Sequence, residues 1–526
     1  MAPIIEQLPN EPFFHHLLRG VEANYFNLLT DVLYMRQRIR HAVPASMFDS
    51  HGRIDSKRPY MIVLAPGNYD YLVAALAILA CGGAFAPIAS SLTPEEICHL
   101  ASITNASCIL VSPHYQDLES QIQEYYAGNA KFGEPAATIQ VTTNNPPMTP
   151  SPHIQIDPAM TLDPKSPGLL IFTSGTTGPP KGVVRPRCVW YANLPEVPSD
   201  HVVTAGARIE VIEDTPGAIW ESFAKGQVTL FTAPPITFAA LMRYFQENLD
   251  RLPGEQRNRY IEGARVLRRV VVSGGVTWPK VMEFWNQLLG HPLRNMYSST
   301  EVTAATETTD GSDPALERCI GKPCRGVEVK LSEGDHGEIL LKSDTMFTHY
   351  LGEEAATRAV FDEEGYYKSG DFGHLVGDQY VIDGRSSTDF IRFHGLRVPI
   401  HEVEARLLEL PYISEAYVVP TTLNYQRQIA VLVRPTITKS PVRLLQIRSD
   451  LQDKIQRYKL PTLMRILRDD EQIPSTISGK PMRKKIEEQY FSLPEDDPLP
   501  ADVQLCNPCV GMAETSRKAW DWAGMM

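Results

Sequence analysis

The stretch that most constrains this chain runs from Phe172 to Gly182, reading Phe-Thr-Ser-Gly-Thr-Thr-Gly-Pro-Pro-Lys-Gly. It follows the apolar residues 169–171, which read as a buried strand. Gly175 and Gly178 free the backbone to wrap an anion. Thr173, Ser174, Thr176 and Thr177 offer hydroxyl and amide donors, and Lys181 adds a positive charge. That is the chemistry of a phosphate-cradling loop. The common P-loop is excluded, because no Gly-Lys-Ser/Thr follows a first glycine at the required spacing.

The segments before this loop predict parallel sheet with helices on its faces. Helix-type periodicity covers 13–40, a strand is expected at 61–64, and a buried helix at 71–80 is stopped by Gly82 and Gly83. A second strand is expected at 84–88. Thr93, Pro94 and Glu96 then make a strong helix start, with threonine as cap, proline in the first turn and glutamate closing a capping box. That helix leads to a strand at 108–111. Alternating strands and helices imply an α/β fold. Residues 132–167 are rich in Pro, Thr and Asn and read as an irregular connection into the loop.

The stretch 183–205 reads as loop, because Arg185-Pro186-Arg187-Cys188 and Pro195-Glu196-Val197-Pro198 carry no periodic pattern. Sheet order resumes at 206–212. Further strands are expected at 228–231 and 267–273, the latter turning at Gly274-Gly275, and a helix follows Trp278-Pro279. Short strands crowd residues 324–385 (326–331, 338–341, 380–382), which read as a β-rich subdomain.

At 526 residues the chain is too long for a single core. Three parts are expected: residues 1–384, a smaller α+β domain at 385–492, and a Pro-rich tail at 493–526. A formal charge of −12 argues against a general nucleic-acid or membrane-surface binder, though not against a ligand that needs only local positive charge. No apolar run is long enough for a transmembrane helix. The first residues lack the basic stretch of a signal or transit peptide, and the eight cysteines are scattered, so a reduced, cytoplasmic compartment is expected. Cys506 and Cys509 have the spacing of half a zinc site but lack two further ligands.

Four more motifs follow the loop. They are Tyr297-Ser298-Ser299-Thr300-Glu301 after the strand ending Ser273-Gly274-Gly275, Tyr367-Lys368-Ser369-Gly370-Asp371, Asp383-Gly384-Arg385, and Pro474-Ser475-Thr476-Ile477-Ser478-Gly479-Lys480. With the loop, and in this order, they resemble the motifs of the adenylate-forming, AMP-binding superfamily of the acyl-CoA synthetase type. The resemblance covers roughly residues 55–490.

The resemblance implies a large N-terminal domain of two α/β subdomains plus a β-rich one, and a small mobile α+β lid. It implies ATP-dependent activation of a carboxylic acid as acyl-adenylate, transfer to CoA, and release of AMP and pyrophosphate. In that frame the phosphate loop (Thr173, Ser174, Gly175, Thr176, Thr177, Gly178, Lys181) clamps the ATP phosphates. Thr300 bonds the α-phosphate, Glu301 is a Mg²⁺ ligand, and Tyr297 packs on adenine. Asp371 accepts the ribose hydroxyls and Arg385 contacts ribose or phosphate. Lys480 bridges the carboxylate and the α-phosphate. The lid would swing about a hinge in 386–389, and the loop near Gly395 would border the CoA arm.

Two departures stand out. The family's segment between Lys181-Gly182 and Gly206 is much longer, and loss of its strand and helix should leave apolar faces wet, at about 25 cal/mol per Å². Ser298 replaces a usual glycine. These departures motivate the alternative of a silent nucleotide-binding homologue; a second alternative is an adenylating enzyme that loads a separate carrier protein instead of CoA. Met296 stands where malonyl-type members tend to place an arginine, so a dicarboxylate is not favoured.

Overall fold

The protein is described here by a computed structural model, which covers residues 14–16, 21–55, 57–129, 136–144, 162–173, 181–190, 208–313, 316–385, 390–393, 396–423, 426–436, 441–468, 470–476, 481–492, 499–500 and 502–506. Its backbone divides into two compact units. The first comprises Met1–Thr277, Phe284–Ser369 and Gly373–Ile382; the second comprises Trp278–Glu283, Gly370–Phe372 and Asp383–Met526.

The first unit contains a seven-stranded sheet in the order His349–Tyr350, Gly182–Pro186, Pro167–Phe172, Ala84–Pro87, Tyr60–Leu64, Cys108–Val111, Ala137–Gln140. Its last five strands run parallel, and the first two are antiparallel additions at one edge. Side-chain alternation sends Met61, Val63, Phe85 and Leu110 into one core with the helices Tyr25–Ala42 and Tyr69–Ala80. Ile62, Leu64, Ala86 and Ile109 enter the opposite core, with Pro94–Ile103 and Gln116–Gly128. Burial on both faces explains why these strands read as continuous apolar runs. The Thr93–Glu96 capping box forms as expected.

Several expectations need correction. The first helix starts at Tyr25 rather than 13, because the Asn24 side chain caps it in a reciprocal box with Asn27; short strands Phe14–His16 and Val21–Ala23 precede it. Ala137–Gln140, inside the stretch read as irregular, pairs in parallel with Cys108–Val111. Arg185 and Pro186, read as loop, end a strand antiparallel to Pro167–Phe172. A proline at a strand end is tolerated. Arg187, read as part of the same loop, is buried and donates to the carbonyls of Gly82 (2.9 Å), Gly83 (2.6 Å) and Pro167 (3.2 Å), where the helix Tyr69–Ala80 has ended. The electronegative end of that helix suits a cation.

A nine-stranded sheet runs in the order Leu230–Ala233, Arg269–Ser273, Arg294–Ser299, Thr303–Glu307, Cys319–Pro323, Gln379–Arg385, Tyr367–Val376, His336–Ser343, Val327–Leu331. The β-rich strands thus continue the second α/β sheet rather than standing apart from it. Its helical side is packed with aromatics. Trp220 and Trp285 stack with centroids 5.6 Å apart, flanked by Phe223, Phe238 and Phe245. The helix Gly254–Arg265 had no apolar stripe to announce it; Tyr260, Gly263 and Ala264 are its buried residues. A Cβ on Gly263 would lie 2.2 Å from the Phe223 carbonyl oxygen, so only glycine lets the two helices meet.

The second unit is built on the four-stranded sheet Ile413–Leu423, Gln426–Pro435, Leu463–Ile466, Val503–Leu505, with helices Ile400–Leu408, Leu444–Leu451 and Arg483–Tyr490. Val503–Leu505 lies in the stretch expected to be a tail. It pairs with Leu463–Ile466, and Val503 is buried beside Leu463 and Tyr490. Three residues are too few to show a period among the surrounding prolines.

Candidate functional site

The stretch expected to cradle phosphate is tied at its base. Strands Pro167–Phe172 and Gly182–Pro186 pair up to Phe172 and Gly182. Just beyond, the Thr173 N–H donates to the Lys181 carbonyl (3.0 Å) and the Lys181 N–H to Thr173 Oγ1 (3.1 Å). Ser174, Gly175, Thr176, Thr177 and Gly178 lie outside the described residues.

Tyr297–Glu301 spans the end of the strand Arg294–Ser299 and its turn into Thr303–Glu307. Tyr297 is 9% exposed, within the core that also holds Val271, Met296 and Ala305. Ser298 Oγ lies 2.8 Å from Ser273 Oγ, so the serine that replaces the usual glycine has a hydroxyl partner on the neighbouring strand. Both hydroxyls sit near the carboxyl ends of parallel strands, where open α/β sheets bind ligands. Thr300 and Glu301 are half-buried in the turn. Thr303, just beyond, has φ +73°, a left-handed conformation that is strained for a β-branched residue. The buried Arg185 donates to its hydroxyl.

Two of the expected residues are joined by one that sequence reasoning missed. Tyr350 lies on the two-residue strand His349–Tyr350, opposite Val183. Its hydroxyl donates to Glu301 Oε1 at 2.9 Å, and Lys181 Nζ lies 5.1 Å from its ring centroid. No sequence signal pointed to it, since a strand of two residues shows no alternation. Burial lowers the neighbouring His349 imidazole below its usual pKa.

Asp371 and Arg385 form an ion pair within the hairpin of strands Tyr367–Val376 and Gln379–Arg385. Arg385 Nε donates to Asp371 Oδ1 (2.9 Å) and Nη2 to Oδ2 (3.4 Å). Gly370, with φ +74°, takes a backbone turn that favours glycine just before Asp371.

Lys480 lies outside the described residues, as do the hinge stretch 386–389 and Gly395. The residues flanking 477–480 are joined. The Met482 N–H donates to the Pro474 carbonyl at 2.9 Å, and Ser475 bridges Pro481. The next residue, Arg483, grips Glu404 through Nη1 (2.5 Å) and Nη2 (3.1 Å) and donates to the Val418 carbonyl (3.0 Å). Glu404 also accepts from the Val418 N–H (2.9 Å) and faces His401 Nδ1 at 3.4 Å. Burial pushes the Glu404 carboxyl up. The Arg483 charge, with hydrogen bonds from His401 and Arg483, outweighs burial and holds it at about 2.

Among the described residues no three His, Cys, Asp or Glu side chains gather as a metal site, and no helix is long and apolar enough to cross a membrane. Cys506 is half-buried, and Cys509 lies outside the described residues.

Comparison with known proteins fits this layout. The family model described as AMP-binding enzyme matches residues 45–194 and 201–351. The break falls inside the unusually short stretch. The chain belongs to this adenylate-forming family, with relatives of the acyl-CoA synthetase type. It is 32% identical to the acyl-CoA ligase oryP of Aspergillus oryzae, over 93% of this chain and 92% of that protein. It is 27% identical to a malonate–CoA ligase of Arabidopsis thaliana, over 81% of this chain and 77% of that protein. Among solved structures, ATP-bound MatB from Rhodopseudomonas palustris superposes with a TM-score of 0.72 at 17% identity, covering 92% of this chain and 96% of that one. That likeness speaks to the fold.

Proposed function

We propose that the protein is an AMP-forming acyl-CoA ligase, which joins a carboxylic acid to ATP as an acyl-adenylate and passes the acyl group to CoA. The observation that carries this reading is the tied phosphate-loop stem, with Lys181 and Glu301 brought to one tyrosine, in a chain that matches an acyl-CoA ligase along nearly its whole length.

Thr173, the residues 174–178 and Lys181 hold the ATP phosphates. Thr300 donates to the α-phosphate and Tyr297 packs on adenine. Asp371 takes the ribose hydroxyls, and Arg385 both steadies it and reaches ribose or phosphate. A carboxylate has about four lone-pair sites, more than the two bonds from Arg385 use. Lys480 neutralises charge as the acid attacks the α-phosphorus and pyrophosphate leaves.

Glu301 suits Mg²⁺, since it is a hard oxygen donor and, among the described residues, Tyr350 bonds its Oε1 alone. The metal would offset phosphate charge. This chain's own task is to present one carboxylate at fixed orientation. We place the reaction in the cytoplasm, on the free thiols of the described cysteines, five of them buried.

The test is AMP release by the purified protein given ATP, Mg²⁺ and a panel of acids that includes malonate, with and without CoA. CoA-dependent AMP supports the reading. Acid-dependent pyrophosphate release with the acyl-adenylate retained, and no AMP on adding CoA, points to a carrier-protein acceptor. A folded sample that binds ATP yet yields no AMP with any acid points to the silent homologue.

A further inference from the structure

Tyr350 touches both charged groups on which the proposed handling of ATP depends, and the backbone around it is tied to the same two motifs. The Leu351 N–H donates to the Gly182 carbonyl at 2.8 Å, next to Lys181. The Phe347 N–H donates to the Glu301 carbonyl at 2.6 Å. Tyr350 itself is 5% exposed and packs against Phe347 with centroids 4.9 Å apart, so its ring has a fixed place.

An ammonium and a carboxylate this close to one side chain have an obvious alternative, which is to pair with each other. Among the described residues they do not. The tyrosine gives each a different partner. The cation lies over the ring face, where the quadrupole is negative. The carboxylate takes the hydroxyl at the ring edge, a neutral donor. Neither charge is cancelled. A direct Lys181–Glu301 pair would cancel both, and an incoming nucleotide and its metal would have to break it.

We propose that Tyr350 is a positioning residue that keeps Lys181 and Glu301 apart and aimed, so that the lysine is open to phosphate and the carboxylate to a divalent cation. The inference rests on the reading that Lys181 binds phosphate and Glu301 binds metal. It adds the claim that one neutral side chain sets the metal affinity and the phosphate affinity together.

The experiment measures Mn²⁺ binding by electron paramagnetic resonance in the complex with a non-hydrolysable ATP analogue, alongside affinity for the analogue alone. It compares wild type with Glu301→Gln, Tyr350→Phe and Tyr350→Leu. Glu301→Gln should weaken Mn²⁺ by about tenfold or more. Tyr350→Phe keeps the ring and loses the donor. It should weaken Mn²⁺ by several-fold, up to about tenfold, and leave the analogue affinity nearly unchanged. Tyr350→Leu lets the charges collapse together and should weaken both. If Tyr350→Leu does not fold, the phenylalanine variant decides alone. Should Glu301→Gln weaken Mn²⁺ while Tyr350→Phe does not, the role given to Tyr350 is wrong and the metal reading stands. No effect of Glu301→Gln overturns the metal reading and this inference with it.

Discussion

Glu404 and Glu301 are both carboxylates with named partners, and they are held in opposite ways. Glu404 is 4% exposed and saturated, with a two-pronged arginine, a backbone N–H and an imidazole around it. Glu301 is half-buried and, among the described residues, takes one side-chain hydrogen bond, from a neutral hydroxyl. The first arrangement satisfies every charge internally and has nothing left to offer a ligand. The second leaves acceptor capacity open beside an unneutralised lysine. Saturation suits a brace and openness suits the metal-binding role proposed for Glu301, although both residues are the same amino acid.

The largest effect tests the brace. Glu404→Leu strands the Arg483 guanidinium in the interior and should cost about 3–5 kcal/mol in urea unfolding. Replacing both partners by apolar residues should recover much of that loss. The carboxyl's folded value of about 2 lies below its ordinary 4.5, so its stabilisation is complete above 4.5 and is lost as pH falls toward 2. The wild-type denaturation midpoint should fall across that window, and the leucine variant's should fall less. An equal fall in both would mean that other carboxylates govern acid unfolding.

Lys480→Ala reverses the pattern. It should lower the adenylation rate by about 10²–10³, equivalent to about 2.7–4 kcal/mol, with an unchanged melting temperature. Wild-type pyrophosphate exchange in that variant would remove Lys480 from the mechanism. Asp371→Ala comes next. It should raise the ATP requirement about tenfold and leave the acid requirement nearly unchanged; the opposite split would show that the nucleotide is misplaced. The smallest effect belongs to Ser298→Gly, which loses the hydroxyl pair with Ser273 and should change stability by about 1 kcal/mol. A gain in activity there would mark the serine as an obstruction.

What the sequence revealed follows the physics of each element. Tyr60–Leu64 and Cys108–Val111 are buried on both faces, so they are unbroken apolar runs and stand out. Thr93 and Glu96 must satisfy helix-end donors, so their spacing is readable. The helix Gly254–Arg265 is mostly solvated and its fit depends on Gly263 meeting a distant carbonyl, which no local pattern encodes. Candidate site residues could be named where a motif fixes chemistry, as at Lys181, Glu301 and Asp371, and their roles rest on the proposed function. Tyr350 could not be, because its meaning lies in two partners far away in the chain, 169 positions from Lys181 and 49 from Glu301. Arg187 was misread for the same reason, since its acceptors are carbonyls more than a hundred residues earlier at Gly82 and Gly83.

The Thr173–Lys181 tie has a consequence for how tightly nucleotide can be held. Seven residues, 174–180, separate the two tied positions. Bringing together the ends of a free chain of that length costs about 2 kcal/mol in closure entropy. Folding has already met that cost here. If the loop holds ATP as proposed, the nucleotide need not gather it first, and the saving corresponds to roughly thirtyfold in Kd. A substitution at Thr173 that loosens the tie would reach the ligand through the entropy of the empty protein, without removing any contact to the ligand itself.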